Sequence, residues 1–279
     1  MNSIPPQGRT VKPISLPGLI HPHDVSTDRQ FSMNLARGLE VLRAFTATAP
    51  LLGNREISDR VGLPKPTVSR LTYTLTLLGY LTHDSQLQKY RLGPGVLSLG
   101  HPLLASMHMR QLARPIMEQL ARATGCSVNL GMRDRADVVY IDSMRADSAN
   151  QHLPDIGSSR PLVVSAIGRA LIFSRPPDER AAIINFLKVQ GADLFEQVSA
   201  AWTADQKRFN EEGFCYSHGD WRKEVHAVAV PLKQAPGDSP LAMNCTLAAY
   251  RVQDDRLVRE VVHQLKDAAR QLAVAQGLY

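Results

Sequence analysis

From Lys65, inside the stretch GLPKPTVSRLTYTLTLLGYL, to His83 just past its end, the chain carries Lys, Arg, Ser, Thr and Tyr but no acid. Lys65, Thr67, Ser69, Arg70, Thr72, Tyr73 and Thr74 are interleaved there with Val68, Leu71, Leu75 and Leu78, whose spacings of three, four and three mark one inward face of a helix. An ordinary surface helix would carry Glu–Lys pairs on its other faces. Carboxylates would be repelled by a phosphate backbone, whereas hydroxyls and guanidinium groups bond to phosphates and base edges. The composition therefore suits a helix that enters a nucleic-acid groove, with a Thr-rich surface helix in a bundle as the alternative.

A second set of residues suits a small ligand. Ser165, Ala166, Ile167 and Gly168 begin an expected helix after a Pro-containing loop. Small residues let a ligand approach the backbone, and the N–H groups of a helix start favour an anion. The alternative is a plain N-cap with a packing glycine. Asn129 and Asn244, on expected strands, would orient polar groups of the ligand or else face water. Cys215, Ala227 and Cys245 are expected to form an apolar wall. Asp220, in the loop DWRK, is the acid expected to touch the ligand, a solvated turn being the other reading.

Catalysis is not expected, because no G-x-S-x-G elbow, H-E-x-x-H pair, P-loop or dinucleotide fingerprint occurs. His218 and Asp220 are close in sequence, but no activated nucleophile accompanies them. The three cysteines are far apart and lack metal-type spacing, so no metal or cofactor is expected, and a reducing cytosol suits them.

The elements that must position these groups follow from punctuation and periodicity. Leu35, Leu39, Leu42 and Phe45 give one apolar helix face. Asn54 opens a short helix that Gly62 closes, and it joins the expected nucleic-acid contacts. Pro64 and Pro66 then stiffen a corner and start the acid-free helix, making a helix-turn-helix. LTHDSQLQKYRLG reads as two strands and a turn, a wing whose Lys89 and Arg91 would touch flanking phosphates. Leu97, Leu103 and Leu104 sit on a linker helix as candidate dimer contacts. Beyond it, an amphipathic helix with Leu112, Ile116 and Leu120 inward precedes strands, helices, strands and a long closing helix capped by Asp254 or Asp255. This order describes an α+β layer structure with helices on an antiparallel sheet.

Charge supports the division. Residues 1–100 hold 11 Lys and Arg against 6 Asp and Glu, nearly the whole of the +6 excess, as a polyanion-binding module requires. No run of 18 apolar residues occurs, so no membrane span is expected. With five prolines and few aliphatics, the start of the chain is expected to be a disordered arm.

The order LARGLEVLRAF, EISDRVGLPKPTVSRLTYTLTLLGYL, KYRLGPGVLSLG closely resembles the IclR family of bacterial transcriptional regulators, and GSSRPLVVSAIGRALI with GFCY…EVHAVAVPL resembles that family's GAF-like effector domain. The likeness runs from about residue 32 to the end. Beyond the arm (1–31) read from composition, it implies a winged helix-turn-helix (32–94), a linker helix (95–108) and an effector-binding α/β sandwich (109–279). The implied partners are double-stranded DNA, a small organic acid or aromatic effector, and a second copy of the chain in a dimer or dimer of dimers. Family members control catabolic, drug-resistance or sporulation genes. This chain departs from the family in carrying Pro66 where many relatives have Ser, and SAIGRA for the usual TAxGKA-like signature. A metabolite-binding sensor or enzyme whose winged helix serves protein contact is the rival reading.

Overall fold

A computed structural model of the chain describes residues 16, 18–19, 28–145, 154–249 and 256–278. They fall into two compact units, residues 20–107 and residues 1–19 together with 108–279.

In the first unit, α1 (Met33–Arg43), α2 (Asn54–Val61) and α3 (Lys65–Leu77) precede β1 (Leu81–Asp84), β2 (Lys89–Leu92) and α4 (Pro94–Ser106). Val41, Phe45, Leu52, Ile57, Val68 and Leu81 form its core. Gly62 ends α2 in the left-handed conformation, φ +67°, with its N–H on the Ser58 carbonyl at 3.0 Å; a Cβ disfavours that conformation. Pro64 and Pro66 bracket the first turn of α3, where a missing N–H leaves no helical bond unmade. β1 and β2 pair antiparallel from Leu81–Leu92 to Asp84–Lys89. Leu52 adds a third short rung, exchanging bonds of 3.0 and 2.8 Å with Tyr90. This is a winged helix.

Three expectations about burial need correction here. Leu35 and Leu39 are 64% and 50% exposed, because Val41, Ala44 and Phe45 turn the inward face of α1 elsewhere. Leu78 is exposed, and Thr72, expected on an outer face, is fully buried one helical turn beyond Val68. Its hydroxyl donates to Asn54 Oδ1 and to the Ser69 carbonyl, each at 3.1 Å. Thr72→Val keeps the shape but leaves Asn54 short of a partner. It is expected to destabilise this unit by about 1 kcal/mol, read as faster hydrogen exchange of the α3 amides.

The second unit is built on a six-stranded antiparallel sheet in the order β5-β4-β3-β8-β7-β6. Its strands are β3 (Ser127–Asp134), β4 (Asp137–Met144), β5 (Ser159–Pro161), β6 (Cys215–His218), β7 (Val225–Pro231) and β8 (Leu241–Ala248). α5 (His108–Thr124) and α10 (Val262–Ala275) pack together, α5 on β3 and β4, α10 on β7 and β8. α6 (Ala166–Phe173), α7 (Pro177–Gln190), α8 (Ala192–Gln197) and α9 (Ser199–Glu212) enclose the other core, in which Tyr140, Ile167, Phe173, Trp202 and Ala229 are buried. The inward stripe of α5 is Met109, Ala113, Met117, Leu120, Ala121 and Thr124. It is rotated from the expected one, so Leu112 and Ile116 are only half-buried. Asp254 and Asp255, expected to cap the last helix, lie outside the described residues.

Part of the N-terminal arm belongs to this second unit. Leu16 and Leu19 pack against its core, joined by a bond of 3.2 Å from the Leu19 N–H to the Leu16 carbonyl. Gly18, at φ +80°, turns the chain against Arg135 at the β3–β4 corner. At these residues the arm is seated rather than disordered, because two leucines of LPGL find an apolar surface that composition alone does not reveal.

Candidate DNA interface and ligand pocket

On α3, Lys65, Ser69, Arg70 and Tyr73 are exposed and Thr67 is half-buried. Helical spacing puts Ser69, Arg70 and Tyr73 on the side away from Val68 and Thr72. Arg70 has no ion-pair partner among the described residues, and Tyr73 is 65% exposed. The face offers donors, acceptors and an aromatic ring without a carboxylate. Asn54 serves differently from expectation: Gly53 is the cap of α2, its N–H held by Glu56 Oε2 at 2.7 Å, and the Asn54 amide accepts from Thr72. The position is half-buried and ties α2 to α3.

The wing cations have partners of their own. Lys89 lies 3.0 Å from Glu56 and Arg91 3.4 Å from Asp84. Each acid also accepts backbone N–H bonds, Glu56 from Gly53 and Asp84 from Leu87, which hold both carboxyls below their ordinary values. Exposed pairs of this kind contribute little, so a phosphate can take over either cation.

In the second unit a pocket opens between the start of α6 and the sheet. Ser165, Ala166, Ala227 and Asn244, all expected, line it, together with Tyr140, Arg160, Ser217, Trp221 and Thr246. Ser165 caps α6, its Oγ accepting the Gly168 N–H at 3.2 Å. Behind the wall, Ser143 Oγ donates to Asn129 Oδ1 at 2.7 Å and Asn129 Nδ2 donates to Asn244 Oδ1 at 2.9 Å. Asn129 is fully buried in this relay; it orients Asn244 from behind.

Four expected contacts are corrected. Gly168 is a packing glycine, since a Cβ there would stand 2.3 Å from the Leu162 carbonyl oxygen. Ile167 points into the core, against Gly131. Cys215 is a core residue. Cys245 is on the opposite face of the sheet, because β7–β8 register pairs Ala227 with Thr246 and Ala229 with Asn244, leaving Cys245 across from Val228. Burial raises all three thiols, those of Cys215 and Cys245 well above the ordinary range. The native protein is therefore expected to resist iodoacetamide at neutral pH, with alkylation seen by mass spectrometry only after unfolding.

Asp220, expected to touch the ligand, is not among the residues that line the pocket and is held instead by a buried arginine. Arg169 of α6 is fully buried; its Nη2 donates to Asp220 at 2.6 Å and to the Tyr216 carbonyl at 3.1 Å, its Nε to Asp205 at 2.7 Å, and its Nη1 to the Val163 carbonyl at 3.2 Å. Asp205 also accepts the Tyr216 N–H at 2.9 Å and an ion pair from Arg208. Burial raises the Asp205 carboxyl and Arg169 opposes the rise. One guanidinium thus pins α6, α9, β6 and the loop after β6 around the pocket. Sequence reasoning missed Arg169, Tyr140 and Arg160. The cue for Arg169 was a charged residue in the otherwise apolar run SAIGRALIF.

Comparison with known proteins places both units. The family described as "Bacterial transcriptional regulator IclR C-terminal" matches residues 101–274, and the "IclR helix-turn-helix domain" matches residues 34–85. The chain is 34% identical over 209 residues to the HTH-type transcriptional regulator TsaQ1/TsaQ2 of Comamonas testosteroni, covering 74% of this chain and 75% of that one. It is 29% identical to XynR, an HTH-type transcriptional regulator of Escherichia coli, over 88% of this chain and 97% of the other. An IclR family transcriptional regulator from Brucella abortus superposes with a TM-score of 0.83 at 37% identity, covering 89% and 94% of the two chains. An IclR homologue from Microbacterium hydrocarbonoxydans, solved with 4-hydroxybenzoate, shares the fold, with a TM-score of 0.65 at 20% identity over 88% and 100%.

Proposed function

The chain belongs to the IclR family of transcriptional regulators, and from that premise we propose that it controls a catabolic operon as a dimer that senses an organic acid. It is a DNA-binding regulator that responds to a small organic effector. The observation that carries the finer reading is the acid-free exposed face of α3, followed by a wing, in a chain whose second unit holds a polar-floored pocket.

A single winged helix neutralises only a handful of phosphates, so its non-specific binding is weak and salt-sensitive. Two copies on half-sites one helical turn apart supply operator affinity. Leu35 and Leu39 of α1 and Leu97, Leu99 and Leu103 of α4 are exposed apolar residues of this unit, Leu97 by 78%; they are the surface we assign to the second copy. Ligand control then needs the effector to bind two arrangements of the dimer unequally, by about 1–3 kcal/mol. Aromatic acids are the first effectors to try, since a homologue of the same fold carries 4-hydroxybenzoate. The buried free thiols suit action in a reducing cytosol.

The test is a gel-shift titration of the full chain on the DNA upstream of its own gene, with and without 4-hydroxybenzoate and related acids. Two-step or cooperative saturation of a palindromic segment, weakening steeply with salt and shifted by an acid, is expected. Retention of no duplex at low salt would refute the reading. Leu97→Glu is expected to shift sedimentation toward the monomer and to lower operator affinity with it.

A further inference from the structure

The candidate pocket of the second unit has little free space, and a cation stands among its lining residues. Arg160, on the edge strand β5, points its guanidinium at the Trp221 indole, 3.7 Å from the ring centroid, and stands 5.3 Å from the Tyr140 ring. It also hydrogen-bonds the Tyr140 side chain. The space left among the lining residues is about 20 Å³, room for about one water, whereas small-molecule sites measure about 300 Å³ or more. Any effector must therefore displace something. Most of the lining is short side chains on strands or at the start of α6. Arg160 and Trp221 are the two that can vacate volume, and Trp221 rides on the loop that leaves β6 through Gly219, at φ +79°.

The environment says what would do the displacing. Burial opposes the charge on Arg160, and a second guanidinium, that of Arg222, adds repulsion from its place 4.2 Å from the same indole centroid. A cation over a ring gains about 0.5–2 kcal/mol, and a two-pronged bond to a carboxylate is stronger. Ser165 Oγ and the start of α6 flank the site, and a helix start adds to the attraction for an anion.

We propose that Arg160 is the specificity-determining residue of this pocket: it occupies the site when no ligand is present and selects a small organic anion, whose carboxylate takes its guanidinium while the rest of the ligand takes its place on Trp221. The inference rests on the reading of this pocket as the effector site. It goes further in naming the residue that reads the charge and in making ligand entry a displacement.

Calorimetric titration of the full-length protein with benzoate and 4-hydroxybenzoate, each against its neutral amide, tests it. The emission of Trp221, obtained as wild type minus Trp221→Phe, serves as a second readout. At least one acid is expected to bind about tenfold or more tighter than its amide, and to change that emission. Arg160→Gln should bring acid and amide to within about threefold of each other, while Arg160→Lys keeps a preference for the acid. Without ligand, Arg160→Gln should already shift Trp221 emission, because the stacked cation is gone. Equal binding of acid and amide by the wild type, or an unchanged preference in Arg160→Gln, overturns the role of Arg160 and leaves the pocket as a site. Binding of none of the four probes overturns the pocket reading and this inference together. Unaltered Trp221 emission in ligand-free Arg160→Gln overturns the displacement alone.

Discussion

Arg169→Met is expected to destabilise the second unit by about 3–5 kcal/mol, the range for removing one partner of a buried ion pair. The methionine fills the space but leaves Asp205, fully buried, and Asp220 facing one another without the cation they share. It also strands the carbonyls of Val163 and Tyr216. Loss on this scale is a large part of a domain's usual 5–15 kcal/mol. Urea unfolding followed by tryptophan emission measures it, since Trp202 and Trp221, the two tryptophans of the chain, are both in this unit. Arg169→Met with Asp205→Asn should recover part of the loss, because Asp205, left with only Arg208 as a cationic partner, is then no longer a charge. Additive losses in the double variant would mean that the two side chains act independently. Burial raises the Asp205 carboxyl in the native state, so this group favours the folded protein at low pH. Its contribution fades as pH rises through that raised value. Without Arg169 the native value should climb further and the loss of stability with rising pH should steepen.

Arg70→Ala is expected to remove about 1–3 kcal/mol per half-site if the side chain pairs with a guanine. A dimer presenting two copies doubles the figure, to about 30-fold to 10⁴-fold in operator affinity. The reason is its position: exposed on α3, a turn from Tyr73, and without an ion-pair partner among the described residues. Fluorescence anisotropy on operator and scrambled duplexes at one fixed salt concentration should show the specific affinity falling toward the non-specific one. The scrambled duplex should weaken far less, since it responds only to the lost charge. Should the operator preference survive intact, α3 is not reading bases through Arg70. Thr72→Val, on the buried side of the same helix, should leave that preference unchanged in folded protein.

The corner, the wing and the succession of helices and strands along most of the second unit were legible because Gly, Pro and hydrophobic periodicity act locally, whereas the edge strand β5 and the order of strands in the sheet were not. Gly62 and the proline pair fix a bend whatever surrounds them. Periodicity was less decisive where it had to say what covers a face. Leu35 and Leu39 have the spacing of a buried stripe and are exposed in the isolated chain. Cys245 shows the limit of alternation: neighbouring strands can each be read correctly while their relative parity, set by register, is not. The pocket's cation and Arg169 were hidden for a simpler reason. Hydropathy assigns arginine to the surface, and only three-dimensional neighbours make one a packed interior group and another the occupant of a cavity. For the same reason Gly168 was read as a place for ligand when its missing Cβ makes room for Leu162.

The seating of Leu16 and Leu19 makes the ligand-sensing body discontinuous in sequence. It begins in the arm, is interrupted by the whole winged helix, and resumes at His108; the DNA-reading module is topologically an insertion. A recombinant piece cut at His108 would bare the greasy surface that those two leucines cover. The second unit is two lengths of polypeptide, and scission between them separates parts of one fold.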